Sequence, residues 1–335
     1  MTSCSVAQDD SPATSVRDVS VVSSIDGVEL AGTLYRPDRS NLAPAIVLVG
    51  VSGPNDRYLS VGQLRPFESL AENLQQAGMV VLTLDDRGVG QSGGDWTRAD
   101  HEQLMADTSD ALSYLESLRY VDTRRLGIFG LSEGAGIAMR VAAASPERVD
   151  FLILASPPGL GGEIALAHQL DALLAASGIA GPAAELWRQE FARFIGLIRA
   201  ENRAGLLEFL SGPGRQLVPP YAFVPQTIEG QADLFLSPWY RSQLEYEPAD
   251  FVASVVAPTL IIGGTLDPIL PADQHHPPLL AGLADAGAVV LANVNHLLMP
   301  AETGLPQEYA QITEPIDQAV LRTVMDWLTA EEITD

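Results

Sequence analysis

The chain alternates short, continuously apolar runs with segments whose apolar residues recur every three or four positions. A continuous apolar run is typical of a strand buried on both faces, and the longer period is that of an amphipathic helix. Strands that alternate with helices form a parallel sheet covered on both faces. We therefore predict an α/β fold with a mostly parallel central sheet flanked by helices. The predicted strands are Asp18–Ser24 and Glu29–Tyr35 (a hairpin), Ala45–Gly50, Met79–Leu84, Arg125–Gly130, Phe151–Ala155, Thr259–Gly263 and Ala288–Asn293.

The alternation stops after the sixth predicted strand, Phe151–Ala155, and resumes with Thr259–Gly263. The intervening stretch carries the helical patterns Ile164–Ala176 and Ala183–Leu210. An insertion at this point would lie over the carboxyl edge of the sheet, where open α/β sheets bind ligands. We predict a helical cap over 158–250, a core made of 17–157 and 251–335, and a disordered tail over 1–16.

Composition excludes several classes of chemistry. The 335 residues include 43 acidic and 19 basic ones, and the formal charge of −24 argues against nucleic acid as a partner. Every basic residue is Arg, so mechanisms that need a Lys, such as P-loop nucleotide hydrolysis and pyridoxal Schiff bases, are excluded. No apolar run approaches the ~20 residues of a membrane span.

The single cysteine, Cys4, leaves no intramolecular disulfide and no cysteine-based metal site. Two interpretations of the N-terminal segment stay open. It is either a disordered tail of a cytoplasmic protein, or the remnant of a lipoprotein anchor whose apolar signal region is missing. The oligomeric state is not predicted.

Ser132 is the predicted nucleophile. Gly130-Leu131-Ser132-Glu133-Gly134 matches G-x-S-x-G and lies between a predicted strand and a predicted helix. A serine at such a turn is held in strained backbone angles with its hydroxyl exposed, and its neighbours must be very small. Ser92 also lies in a G-x-S-x-G segment, but no helix directly follows it, so we expect a loop there.

A serine hydroxyl needs a base, and five histidines are present. His296 follows the last predicted strand and would lie at the same sheet edge as Ser132. Asp267 follows the preceding strand and would orient the imidazole, and the order Ser, Asp, His along the chain suits this topology. The alternative for Asp267 is a turn-forming role before Pro268. A metal at the adjacent pair His275-His276 lacks a third ligand, so no metal is predicted.

The other histidines are assigned elsewhere. We place His101 near the start of a surface helix, His168 in the cap, and His275-His276 in a segment leading into a helix at the wrong side of the strand tip.

Two N–H groups are needed to stabilise a tetrahedral oxyanion. One should be the backbone N–H of Glu133, directly after the nucleophile. The other should come from the segment 51–57, where Ser52 is the first candidate and Val51 the second. Asp56 and Arg57 could form a local ion pair that holds this segment in place.

Three motifs together resemble the serine esterases of the α/β-hydrolase superfamily, from about Val19 onward. The resemblance is to bacterial carboxylesterases with G-S-G-P-x-D-R, D-x-R-G-x-G-x-S and G-H-S-E-G motifs. The matching segments here are 51–57, 85–92 and 130–134, with Asn295-His296-Leu297 around the base. Val51 replaces a Gly, which bears on substrate range, and Leu131 replaces a His that the triad chemistry does not need.

The resemblance implies the α/β-hydrolase fold and ester hydrolysis through an acyl-enzyme, with no metal or organic cofactor. The expected partner is a small-molecule ester, with small to medium apolar groups suggested by the aromatic and aliphatic residues of the cap. Thioester, lactone or peptide and amide hydrolysis would use the same residues, because fold and triad do not determine the substrate. A non-catalytic ligand-binding protein on the same scaffold is the alternative from another class.

Overall fold

The computed structural model describes residues 15–217 and 223–334. Its eight strands form one sheet with the order β1-β2-β4-β3-β5-β6-β7-β8. The pairs β1–β2 and β2–β4 are antiparallel, and all other neighbouring strands are parallel. The prediction of a mostly parallel sheet flanked by helices is confirmed. The strands are β1 (Ser15–Val22), β2 (Glu29–Arg36), β3 (Ala43–Val49), β4 (Val80–Leu84), β5 (Val121–Leu131), β6 (Phe151–Ala155), β7 (Thr259–Leu266) and β8 (Ala286–Asn295).

Ten α-helices are found in the part of the chain that the structure describes, together with short 3-10 segments at 96–98, 213–217, 248–250, 252–254 and 306–311. No helix among these residues is both long and apolar enough to pass through a membrane. The helices are α1 (Pro66–Gln76), α2 (His101–Glu116), α3 (Glu133–Ala144), α4 (Gly162–Ala176), α5 (Pro182–Arg199), α6 (Arg203–Ser211), α7 (Ile228–Phe235), α8 (Pro238–Leu244), α9 (Ala272–Gly282) and α10 (Gln318–Ala330).

Two apolar clusters cover the two faces of the sheet. One includes residues of α2, α3 and α9, and the other includes residues of α1 and α10. The parallel strands are buried on both sides, as Phe151–Ala155 illustrates with five consecutive buried residues. Helices α4 to α8 are inserted between β6 and β7, and a third cluster joins α5, α6, α7 and α8.

Several observed boundaries differ from the predicted ones by a few residues, and two differences stand out. The pattern 183–210 is two helices, because the Asn202 side chain accepts the Gly205 N–H at 2.9 Å and starts a new helix there. The strand β1 begins at Ser15, so the predicted tail 1–16 is too long at its carboxyl end. Cys4 and the rest of 1–14 lie outside the described residues.

Arg57 anchors the segment that follows β3, but its partner is not Asp56 as the sequence suggested. Its guanidinium lies 2.7 Å from Asp85 Oδ2 and 2.8 Å from the Gly32 carbonyl, which it donates to. Its backbone N–H donates to Asp85 Oδ1 at 2.8 Å. The Asp56 carboxylate instead accepts the N–H groups of Tyr58 and Ser60. The segment is therefore tied to the end of β4 rather than held by an internal ion pair.

Burial by itself raises the pKa of Asp85, but the hydrogen bonds and charge of Arg57 bring that pKa below its ordinary value. Replacing Arg57 by Met should lower the free energy of unfolding at pH 7 by about 3–5 kcal/mol, because the buried Asp85 carboxylate would lose its cation. Urea unfolding measures the change, and the deficit should shrink at acidic pH, where Asp85 becomes neutral.

The matched control is Arg188→Met, since Arg188 pairs with Asp171 on the surface and both side chains are about half exposed. That change should lower the free energy of unfolding by no more than about 1 kcal/mol. Similar losses in the two variants would show that the Arg57–Asp85 pair is no more important than a surface pair.

Candidate active site

Ser132 lies at the turn between β5 and α3, with φ 57° and ψ −119°. A positive φ is costly for a residue with a Cβ, so the surrounding structure must hold this conformation. The backbone N–H of Ser132 donates to the Ala155 carbonyl at 2.9 Å, and its carbonyl accepts the Ala135 N–H at 2.9 Å. The turn is therefore held from β6 on one side and from the first turn of α3 on the other.

Glycines let the strand and the helix approach each other at this turn. A Cβ on Gly130 would collide with the backbone of Gly134, and a Cβ on Gly134 would collide with the carbonyls of Val49 and Gly50. The Gly134 N–H also donates to the Gly50 carbonyl at 2.9 Å. The end of β3 is thus bonded directly to the start of α3, which places the segment after β3 beside Ser132.

His296 and Asp267 contact each other at the ends of β8 and β7. The distance from His296 Nδ1 to Asp267 Oδ2 is 2.8 Å, and both side chains are at most 5% exposed. Asp267 Oδ1 accepts the N–H groups of Ile269 and Leu270, each at 2.9 Å. One oxygen of the carboxylate is thus occupied by the backbone, and the other faces the imidazole.

Burial alone would raise the pKa of Asp267. The charge interaction with His296, the hydrogen bond to that imidazole and the two backbone N–H donors outweigh burial, so the pKa of Asp267 lies below its ordinary value. The carboxylate is consequently ionised at neutral pH. In that state it is an acceptor for a proton on Nδ1 of His296.

The loop that carries His296 is held by Asn295 and Ser156. Asn295 Oδ1 accepts the N–H groups of Leu297 and Met299, at 2.9 and 3.0 Å. The Ser156 hydroxyl, at the end of β6, donates to the His296 carbonyl at 3.1 Å. These bonds orient the histidine loop relative to the strand next to the one that leads to Ser132.

Ser132, Glu133, His296, Ser52 and Val51 all line one cavity of ≈ 470 Å³. The structure therefore brings five of the six predicted site positions to one cavity, and the sixth, Asp267, lies behind His296. The helical insertion contributes a large part of the wall, which is mainly apolar. Its lining residues include Leu166, Gln169, Leu234, Phe235, Trp239 and Tyr240.

The side chain of Glu133 has contacts that the sequence did not reveal. Its carboxylate accepts a hydrogen bond from Gln243 and one from Trp239 Nε1 at 3.4 Å, both in α8 of the insertion. It also lies 3.4 Å from Nε2 of His101. The residue after Ser132 thus connects the turn to the insertion.

His101 is buried, so its predicted place on a surface helix is wrong. It begins α2, but Tyr246 and Gln243 cover it from the insertion. Its Nδ1 lies 3.0 Å from Arg140, and because a guanidinium only donates, Nδ1 is the acceptor of this contact.

His275 and His276 lie inside α9 rather than ahead of it. The Nδ1 atom of His275 accepts the Gly159 N–H at 3.0 Å, and burial lowers the pKa of His275 to about 4. Burial lowers the pKa of His276 as well. Within the described ranges, no three His, Cys, Asp or Glu side chains are arranged to hold a metal ion.

Ser92 serves the loop after β4. Its hydroxyl donates to the Asp85 carbonyl at 2.8 Å and accepts the Ala31 N–H at 2.9 Å. The hydroxyl proton and one lone pair are thereby directed at backbone groups. The second G-x-S-x-G segment is thus a structural loop.

Known proteins share parts of this sequence. The family model described as serine aminopeptidase, S33 (Hydrolase_4) matches residues 61–194, the segment that contains Ser132. Esterase EstD of Thermotoga maritima is 25% identical over 302 residues, which cover 89% of this chain and 65% of that protein. A thiohydrolase of Eupenicillium brefeldianum is 30% identical over 121 residues, 36% of either chain. The chain thus spans between about a third and two thirds of the length of these curated relatives.

Solved structures share the fold over nearly the whole chain. The structure of Est1E from Butyrivibrio proteoclasticus with ferulic acid bound has a TM-score of 0.58 at 15% identity, and the match covers 93% of this chain and 98% of that one. An identity this low supports the fold alone. The likeness extends through the parallel sheet and its flanking helices, and the chain has the α/β-hydrolase fold.

Proposed function

We propose that this protein is a carboxylic-ester hydrolase that works through an acyl-enzyme on small to medium apolar esters. The observation that carries the proposal is the 2.8 Å contact between His296 and Asp267 at a cavity that Ser132 also lines. A serine in a strained turn, a neutral imidazole base and a buried carboxylate are the groups that serine hydrolysis requires. The esterase among the relatives supports the same reaction class.

The reaction proceeds in two halves. In the first, the Ser132 hydroxyl oxygen bonds to the ester carbonyl carbon while Nε2 of His296 takes the hydroxyl proton. The imidazolium is stabilised by the ionised Asp267, and it returns the proton to the departing alkoxide as the ester bond breaks. In the second half a water molecule attacks the carbonyl carbon of the acyl-serine while His296 takes its proton. His296 then returns that proton to the Ser132 oxygen as the bond between this oxygen and the acyl group breaks and the acid leaves. No step requires a cofactor.

The negative oxygen of each tetrahedral intermediate requires N–H donors. We assign the Glu133 backbone N–H as one donor, since it opens α3, where the helix dipole favours negative charge. The second donor is assigned to the backbone N–H of Ser52, with Val51 as the alternative. Both residues line the cavity, and Gly53, with φ 92°, allows the sharp bend of this segment.

The size and lining of the cavity support an apolar substrate of moderate size. A volume of ≈ 470 Å³ is within the range of small-molecule sites, and the wall contributed by the insertion is largely aliphatic and aromatic. Burying an acyl chain against such a wall gains about 0.8 kcal/mol per methylene. Activity should therefore rise with acyl length until the cavity is filled.

Thioester hydrolysis is the second candidate. It is favoured by the thiohydrolase among the relatives, which is 30% identical over 121 residues. The same nucleophile, base and oxyanion donors serve both reactions, and only the leaving group differs. Amide and lactone hydrolysis are further alternatives. The family model described as serine aminopeptidase supports the amide.

Replacing Ser132 by Ala should lower the kcat for p-nitrophenyl butyrate by about 10⁴-fold or more, because no acyl-enzyme can form. The variant should also lose covalent labelling by a fluorophosphonate. Ser92→Ala is the matched control, since Ser92 lies in the same sequence pattern but bonds to backbone groups. It should keep both activity and labelling. Turnover retained in Ser132→Ala would refute the assigned nucleophile.

Replacing Asp267 by Asn should lower kcat by about 10⁴-fold while the protein stays folded. The backbone N–H groups of Ile269 and Leu270 hold an oxygen at one position, so the new amide NH₂ must face His296. It would donate to Nδ1 and leave the proton on Nε2, where it blocks base catalysis. Asp267→Ala cannot impose that tautomer, so Asp267→Asn should be no more active than Asp267→Ala. Steady-state assays with thermal unfolding decide this, and near-wild-type activity in Asp267→Asn would point to another acid.

The leaving-group class is decided with matched substrates that share one acyl group. Hexanoyl p-nitrophenyl ester, hexanoyl-N-acetylcysteamine and hexanoyl p-nitroanilide present an ester, a thioester and an amide. The proposal expects the highest kcat/KM for the ester. A thioester preference of tenfold or more would establish the second candidate, and an anilide preference would overturn both.

A further inference from the structure

Asn55 shapes the segment that carries the assigned oxyanion donors. Its side-chain Nδ2 donates to the Val51 carbonyl at 2.5 Å and to the Gly53 carbonyl at 2.8 Å. These two carbonyls flank Ser52, so the amide bridges both sides of the assigned donor. The Val51 carbonyl shares a peptide plane with the Ser52 N–H, so a bond that fixes this carbonyl also fixes that N–H in the opposite direction. The Gly53 carbonyl belongs to the peptide bond with Pro54, which has no N–H, and its bond to Asn55 holds the bend of the segment.

Asp86, at the end of β4, holds Asn55 in turn. One oxygen, Oδ2, accepts the Asn55 backbone N–H at 2.8 Å and its Nδ2 at 3.0 Å. The Asp86 backbone N–H donates back to the Asn55 carbonyl at 3.0 Å. Three hydrogen bonds therefore join these two residues, from a loop on one strand end to a loop on the next.

We propose that Asn55 and Asp86 are positioning residues that hold the Val51–Ser52 peptide plane in the orientation that stabilises the oxyanion. The inference rests on the proposed ester hydrolysis and adds two residues to it. Neither side chain is assigned a contact with the reacting atoms; both act through the backbone of 51–53. We refer to the pair below as the Asn55–Asp86 brace.

The neighbouring carboxylate provides a contrast. Asp85 also holds this segment, but Arg57 lies 2.7 Å from it and neutralises its charge. The hydrogen bonds of Asp86 come from Asn55, which carries no charge. The charged groups that face Asp86 are Glu133 from α3 and Asp107 from α2, and Asp107 is already paired with Arg87.

This setting is costly for an ionised carboxylate. Burial raises the pKa of Asp86 to about 7, and the charges of Glu133 and Asp107 act in the same direction against the bonds from Asn55. A pKa raised on folding means that ionised Asp86 destabilises the folded state once the pH exceeds its ordinary pKa. The cost grows until about pH 7 and is then constant.

An ionised carboxylate is nevertheless the stronger acceptor for the Asn55 donors, since charge-assisted hydrogen bonds are roughly twice as strong as neutral ones. A carboxylate that weakens the fold while it strengthens a bond at the site is the pattern expected of a functional group. Asp86→Asn separates the two effects, because it keeps an oxygen acceptor and removes the charge.

The test compares Asn55→Ala, Asp86→Ala and Asp86→Asn with wild type, using p-nitrophenyl butyrate. We expect kcat to fall about tenfold in both Ala variants, with KM changed less than twofold, because the brace acts on the oxyanion and not on substrate binding. Asp86→Asn should lose less, about threefold. The inhibition constant of butylboronic acid, which forms a tetrahedral adduct with the serine, should rise by the factor by which kcat/KM falls.

Thermal unfolding separates the proposal from a merely structural role, because a structural role predicts the opposite change in Tm for Asp86→Asn. Asp86→Asn should raise Tm at pH 8 by about 2 °C or more and should leave Tm nearly unchanged at pH 4. The matched control is Asp150→Asn. Asp150 is another carboxylate whose pKa burial raises, and it accepts the Leu126 N–H at the opposite end of β5. It should leave kcat unchanged.

The outcomes are distinguishable. A wild-type protein without esterase, thioesterase or amidase activity overturns the proposed function and the brace with it. An active wild type whose Ala variants keep kcat and boronate affinity overturns only the brace. A variant that loses kcat in proportion to lost folded protein, or an Asp86→Asn that lowers Tm at pH 8, shows a structural role alone and also overturns the inference.

Discussion

The turn at Ser132 is the constraint on which the site depends. A residue with a Cβ is held at φ 57° because β5 and α3 approach so closely that only glycine fits at positions 130 and 134. The same approach lets the Gly134 N–H bond to the Gly50 carbonyl, while Val49 pairs with Gly130 across the sheet. Ser132 and the segment with the assigned oxyanion donors are therefore positioned by one set of backbone contacts. Widening that turn would displace both together.

Two consecutive aspartates after β4 hold the segment after β3 in physically different ways. Asp85 has a guanidinium partner, so its pKa is lowered and its charge stabilises the fold. Asp86 has an uncharged amide partner and acidic neighbours, so its pKa is raised. Asp85 thus stabilises the segment after β3, and the adjacent Asp86 is assigned to orient it. In a chain with 43 acidic and 19 basic residues, an aspartate without a cation is common on the surface but expensive in the interior.

Local patterns were enough to predict the sheet, because each strand and helix carries its own periodicity. Phe151–Ala155 matches its predicted bounds, and the turn at Ser132 follows from glycines within four residues of it. The errors concern partners that lie far apart along the chain. Arg57 pairs with Asp85, 28 positions away, rather than with the adjacent Asp56. His101 is buried by an insertion whose Gln243 is 142 positions distant. Asn55 and Asp86 lie inside two motifs that the sequence did identify, but only the fold shows that they bond to each other.

The side chain of Glu133 links the insertion to the turn at Ser132 through hydrogen bonds. Its backbone opens α3 directly after Ser132, whereas its carboxylate accepts hydrogen bonds from Gln243 and Trp239 of α8. A buried carboxylate needs such donors, because leaving it without them would cost several kcal/mol. Any movement of α8 away from the core would therefore break bonds to the residue assigned as an oxyanion donor. The helices between β6 and β7 thus enclose the cavity and also help to hold Glu133 in position beside Ser132.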